Sequence, residues 1–222
     1  MKQFYVTPRL RVSVLRSAAA TFALLLSLCG AASAEPVFSF DSSPGKLPKT
    51  VIPVHYAIEL TPDLESLALP GVEVIDIDVR EPTTRLILNA VDTTFASASI
   101  DDGAQRADVT LDAAAQTATL SFAQPIAAGA HRLRIAFAAR INKFGTGLFS
   151  VDYPTDKGMK RLLSSKLEPA DARRIFPCWD EPAFKASFEL TVTVAWLALK
   201  SAASGAVAGS TRMSARPSAT GL

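Results

Sequence analysis

Residues 164–188 read SSKLEPADARRIFPCWDEPAFKASF. Within a dozen positions this stretch holds Arg173, Arg174, Phe176, Trp179, Asp180, Glu181 and Phe184, punctuated by Pro177 and Pro182. A plain solvated loop rarely gathers so many aromatics and opposed charges. Phe176, Trp179 and Phe184 are expected in a core, and Arg173 and Arg174 are expected to brace the loop against Asp180 and Glu181. An arginine–carboxylate pair can be bidentate, which fixes a loop better than a lysine would. Directly after the block, Phe188, Leu190, Val192 and Val194 alternate with Ser187, Glu189, Thr191 and Thr193. A period of two is the mark of a strand with one buried face.

The same period runs back toward the N-terminus. Val54, Tyr56, Ile58 and Leu60 alternate until Pro62 ends the run, and Ile75, Ile77 and Val79 are separated by Asp76 and Asp78. Leu86 and Leu88 follow the breaker Glu81-Pro82. Asp101-Asp102-Gly103 is a turn signal between Phe95–Ile100 and the pair Val109, Leu111. Ala118, Leu120 and Phe122 interleave with Thr117, Thr119 and Ser121, and Leu133, Ile135 and Phe137 with Arg132 and Arg134. Ala113-Ala114-Ala115 is too short for a helix and reads as a loop. The sum is an all-β domain, an antiparallel β-sandwich or curved sheet, spanning residues 47–194.

Both ends read differently. Lys2, Arg9, Arg11 and Arg16 precede an apolar run from Ala18 to Leu28, and Ala32-Ser33-Ala34 is a small-residue cleavage site. Residues 1–34 are therefore expected to be a signal peptide, with Glu35 as the mature N-terminus and a periplasmic or secreted location. The run is about a dozen residues, short of the ~20 of a spanning helix, so no stable membrane span is expected after cleavage. Residues 35–46, with Pro36, Pro44 and Gly45 among serines, read as a linker. From Ser201 the chain is mostly Ala, Ser, Gly, Thr and Arg without an apolar period. Residues 195–222 are expected to be a disordered tail, and the abrupt change near Ala195 fits a lost reading frame.

Composition narrows the chemistry. The formal net charge is +2, with much of the excess in the leader, and no basic stripe suits nucleic acid. Cleavage removes Cys29 and leaves Cys178, so no internal disulfide is available. Beside Trp179, Cys178 reads as a small buried hydrophobe. There are two histidines, His55 and His131, both in strand-like runs and without a partner histidine or cysteine at ligand spacing. They read as ordinary strand residues. The chain has no HExxH pair for a catalytic zinc.

The 164–188 block resembles the end of the N-terminal domain of M1-family zinc aminopeptidases, where a string close to EP-x-DARR-x-FPCWDEPAFKA-x-F-x-L recurs. Three further pieces are similar to that family. Leu47–Tyr56 resembles its opening, with a P-x-x-Y strand at Pro53–Tyr56. Ile75–Asn89, IDIDVREPTTRLILN, resembles its V-x-E-P-T region, and Gly147-Leu148-Phe149-Ser150 the piece before a long hairpin. The resemblance runs from about Leu47 to Val194. It implies zinc-assisted removal of N-terminal residues from peptides by a full-length parent, with zinc and peptide as that parent's partners and no cofactor in this chain. It also implies that Glu168 sits where the family's Q-x-E-P glutamate holds the substrate's α-amino group. The family glutamine is replaced here by Lys166, which adds like charge beside an amine site. No catalytic or metal residue carries over, and the chain alone is expected to be inactive. The competing reading is a free-standing periplasmic β-sandwich that binds a protein or glycan. An HExxH-bearing frame in the DNA beyond codon 195 separates the two.

Overall fold

The computed structural model describes residues 38–195 and 210–215. The expected leader, residues 35–37 of the linker, and residues 196–209 and 216–222 lie outside the described residues. The chain divides at residues 39 and 40, and the unit Phe40–Leu222 holds every strand discussed below.

Eleven strands occur among the described residues: β1 Val51–Leu60, β2 Ala68–Val79, β3 Thr83–Asn89, β4 Thr94–Ile100, β5 Gln105–Asp112, β6 Thr117–Ile126, β7 Gly129–Arg140, β8 Gly147–Thr155, β9 Gly158–Lys166, β10 Ser187–Ala195 and β11 Ser210–Ala215. Nine form one sheet in the order β11-β10-β1-β2-β7-β4-β5-β6-β3, and β8 and β9 form a separate hairpin. The all-β expectation holds. The large sheet is curled and mixed. Its parallel pair is β1 with β10, where Tyr56 lies opposite Phe188. Hairpin turns force antiparallel neighbours, whereas these two strands are joined through most of the domain, so no short turn dictates their direction.

Register explains the core. Ile75 lies between Tyr56 of β1 and Leu133 of β7, and Ile77 and Val79 repeat that inward face. Leu86 and Leu88 of β3 and Ala118 and Leu120 of β6 are buried in the same cluster. They reach it because β5 changes partners: Gln105 and Arg106 pair with β4, and Ala107–Asp112 pair with β6. That switch joins the β3–β6 pair to the rest of the curled sheet, and its inner side chains share one core with those of β2 and β7. Burying each of these Leu or Ile side chains contributes roughly 1.5–3 kcal/mol. The intervening residues face outward, and Arg132 Nε meets Asp76 across the β2–β7 pair at 3.3 Å. Gly71 is required where β1 and β7 crowd β2. A Cβ there would lie 2.7 Å from the Phe137 ring and 2.8 Å from Leu60.

The Asp101-Asp102-Gly103 turn has φ values of 49°, 55° and 91°. It is held by the Asp101 carboxylate, which accepts the Arg132 backbone N–H at 3.0 Å and faces His131 Nδ1 at 2.7 Å.

Two stretches that read as connectors are tied to the fold. In the linker, the Lys49 ammonium donates to the carbonyls of Phe40, Asp41 and Ser43, Arg80 pairs with Asp41, and the Phe40 ring meets Phe184 edge-on at 5.2 Å. In the stretch 195–222, read as a disordered tail, residues 210–215 form β11 and pair antiparallel with β10 from Leu190 to Ala195. For those six residues the strand corrects the expectation. The edge of β10 offers unpaired backbone groups, and ladder pairing needs no apolar period from the strand that takes them.

Candidate functional site

The 164–188 block crosses from the end of β9 to the start of β10. Asp171 N–H donates to the Leu167 carbonyl at 2.8 Å, and a single 3-10 turn covers Ala172–Arg174. The turn places its two arginines on different partners. Arg173 donates from Nε to Asp180 Oδ2 at 2.8 Å, from Nη2 to the Asp180 carbonyl at 2.9 Å, and from Nη1 to Gln116 Oε1 at 3.2 Å. The Arg173 and Asp180 side chains are only 12% and 15% exposed, so this pair is little screened by water. Arg174 donates from Nε to Asp171 at 2.8 Å and from Nη1 to Asp92 at 3.3 Å.

Glu181 departs from the expected brace. It pairs with neither arginine. Its Oε1 accepts the backbone N–H groups of Lys46 at 2.7 Å and Leu47 at 3.1 Å, 135 and 134 positions away. Among the described residues its Oε2 is buried without a partner, against Gly45, where an added Cβ would collide with it. The carboxylate thus clamps the N-terminal strap onto the block. Strap and block border a cleft of about 1010 Å³, whose walls include Pro44, Leu47, Asn89, Gln116, Arg173 and Glu181.

Phe176 packs partly buried against the core, and Trp179 and Phe184 lie within it, as their spacing suggested. Cys178 is buried too. Its backbone exchanges two hydrogen bonds with Asn89 at the end of β3, at 2.8 and 3.0 Å, and Asp180 N–H donates to Asn89 Oδ1 at 3.2 Å. Burial, with Asp180 and Glu73 nearby, pushes the Cys178 thiol well above its ordinary range, so it does not supply a thiolate nucleophile. Tyr56 accepts the Trp179 backbone N–H at 3.2 Å, and its ring stacks on Phe188 at 4.7 Å. Burial also raises the Tyr56 phenol well above its usual value.

Glu168 and Lys166 are both exposed, at the foot of the β8–β9 hairpin, and the Glu168–Pro169 bond is cis. Hairpin and sheet are joined by Arg161, which grips Asp152 through Nε at 2.6 Å and Nη2 at 2.8 Å and donates Nη1 to the Leu64 carbonyl at 2.6 Å. The Arg161 hydrogen bond holds the Asp152 carboxyl below its usual range. Val151 and Leu162 are cross-strand partners, and Tyr153 pairs with Lys160. All three apolar side chains remain exposed, as do Phe144 and Met159.

The histidines do not fit a zinc centre. His55 Nδ1 lies 2.7 Å from Ser187 Oγ. His131 has both ring nitrogens engaged, Nδ1 with Asp101 and Nε2 with the Ala127 carbonyl at 2.9 Å. Among the described residues no group of three or more His, Cys, Asp or Glu is placed to hold a metal ion. Residues that sequence reasoning passed over are Asn89, Gln116 and Glu73. Asn89 ends a motif already noted, but nothing in the sequence marks Gln116 as the acceptor for Arg173.

These features, a curled β domain with a proline-rich signature block locked to β1 and β3, coincide with a known domain. The model of the Peptidase M1 N-terminal domain matches residues 52–216, a range that includes β11. The chain belongs to the M1 peptidase family as its N-terminal domain. It is 48% identical to aminopeptidase N of Acetobacter pasteurianus over 162 residues, covering 72% of this chain and 45% of that protein. It is 33% identical to aminopeptidase 2 of Candida albicans over 147 residues, 66% of this chain and 16% of the relative. Endoplasmic reticulum aminopeptidase 1 of Rattus norvegicus is 30% identical over 162 residues, 69% of this chain and 17% of the relative. The chain thus spans less than half the length of these relatives.

Proposed function

We propose that this chain is the non-catalytic N-terminal domain of an exported zinc aminopeptidase and that it does not hydrolyse peptides by itself. The observation that carries the reading is the histidine inventory. A catalytic zinc takes three protein ligands and an open position. The whole sequence has two histidines, and His131 spends both ring nitrogens on Asp101 and Ala127. In a full-length parent the zinc would polarise a water for attack on the peptide bond. This chain's part is scaffold and substrate entrance. Glu168, exposed at the hairpin foot, pairs with the α-ammonium of a peptide, and the adjacent Lys166 weakens that pairing. The uncovered apolar side chains Val151, Tyr153 and Leu162 support a hairpin face that meets another part of the enzyme.

The test is a metal assay after dialysis, together with hydrolysis of aminoacyl test substrates. The expected result is no stoichiometric zinc and no turnover. One tightly held zinc per chain with chelator-sensitive turnover would overturn the reading. Export is tested separately by mass spectrometry of the exported protein, which should begin at Glu35. A soluble exported form that retains Met1 counts against it.

A further inference from the structure

Glu73 is the anomaly of the core. It lies on the inward face of β2, in phase with Ile75 and Ile77, and its side chain is fully buried. Its register partners are Ile58 on β1 and Ile135 on β7. Among the described residues neither carboxyl oxygen has a hydrogen-bond partner. Gly71, two positions along the same face, is closed over by Phe137 and Leu60. The neighbouring titratable groups are the Tyr56 phenol from β1 and the Cys178 thiol from the signature block, with Asp180 and Arg173 beyond Cys178. From β7 and β6 the buried side chains named in the core are apolar, among them Leu133, Ile135, Ala118 and Leu120; from β3 they are Leu86, Leu88 and Asn89, whose amide is spent on the Gln116 carbonyl and the Asp180 N–H.

An ionised carboxylate in such a place has lost its water and gained neither a cation nor a donor. We propose that Glu73 is carried in the fold as the uncharged acid, and that loss of its proton is a built-in release that loosens the β1–β2 centre and the Trp179 segment bonded to Tyr56.

Burial alone pushes the Glu73 carboxyl well above its ordinary range. The sign follows from linkage. Between the unfolded and folded values the native state keeps a proton that the unfolded chain has lost, so stability falls as pH rises. It is greatest below the ordinary glutamate value, about 4.3, and declines from there up to the raised folded value. One proton corresponds to about a tenfold change in the folding equilibrium constant per pH unit. Cys178 and Tyr56 enter only above their own unfolded values, about 8.5 and 10, beyond the pH range of the experiment below.

The experiment is denaturant unfolding of the full chain from pH 4 to pH 8, wild type beside Glu73→Gln and Glu73→Met. Wild type should lose up to about tenfold in its folding constant per pH unit relative to Glu73→Gln across this window, and the ratio should be flat for Glu73→Met against Glu73→Gln. Amide exchange at Trp179 should quicken with pH, beyond its intrinsic rise, in wild type alone. Carboxyl carbon shifts of the folded wild type give a second readout that does not depend on the variants folding. A Glu73 signal still protonated at neutral pH supports the proposal. A signal that titrates near the ordinary glutamate value, or equal pH slopes for wild type and Glu73→Gln, overturns it.

Discussion

The backbone N–H of Trp179 donates to the phenolic oxygen of Tyr56 at 3.2 Å, inside the core and across 123 positions of sequence. The bond joins two motifs that carry the family resemblance, the P-x-x-Y strand and the CWDEP block. Without the phenol, the buried Trp179 donor has no acceptor. Tyr56→Phe should therefore destabilise the domain by about 1–3 kcal/mol, the cost of an orphaned buried donor. A denaturant midpoint unchanged from wild type would show that water reaches this N–H.

Arg173 and Asp180 form a little-exposed pair, so removing one partner leaves the other charge stranded. Arg173→Ala should cost about 3 kcal/mol or more. Arg173→Lys should recover only part, because an ammonium cannot serve Asp180 Oδ2, the Asp180 carbonyl and Gln116 from one plane. A double-mutant cycle with Asp180→Asn measures the coupling, and a value near zero would contradict the bracing role.

Gly71 has no room for a methyl group, since its would-be Cβ meets Phe137 and Leu60 below 3 Å and the Glu59 carbonyl at 3.1 Å. Gly71→Ala should cost about 1–3 kcal/mol through overpacking. Pairing it with Phe137→Leu should return part of the loss, which calorimetry of the four proteins would reveal.

The Asp152–Arg161 pair predicts an acid response local to the hairpin. Asp152 is held below its usual range by the Arg161 hydrogen bond. A depressed folded value means that its contribution is present above the unfolded value and lost as pH falls through the folded one. Carboxyl carbon titration should place Asp152 below free aspartate in wild type and return it toward the free value in Arg161→Gln. The pair is solvent-exposed, so global stability should barely change. Equal titration in both proteins would show that Arg161 acts only on Leu64.

Much of this protein was legible in the chain. The period-two runs marked most strands of the large sheet, because a strand with one buried face must alternate whatever it packs against. The core places of Trp179, Phe184 and Cys178 followed from composition, and the 164–188 block named the family. Partner choice was not legible. Glu181 and the arginines are neighbours in sequence, but Glu181 turned instead to the amides of Lys46 and Leu47, and Arg173 found Gln116. Such choices depend on which strands lie side by side, and alternation carries no record of strand order. The parallel β1–β10 pair and the seat of β11 belong to the same class, since backbone ladders form between any suitably placed strands. Glu73 shows the division within one residue. Two positions before Ile75, it takes the inward phase of β2 by alternation alone, while its isolation from donors and cations among the described residues arose only when β1 and β7 closed around it.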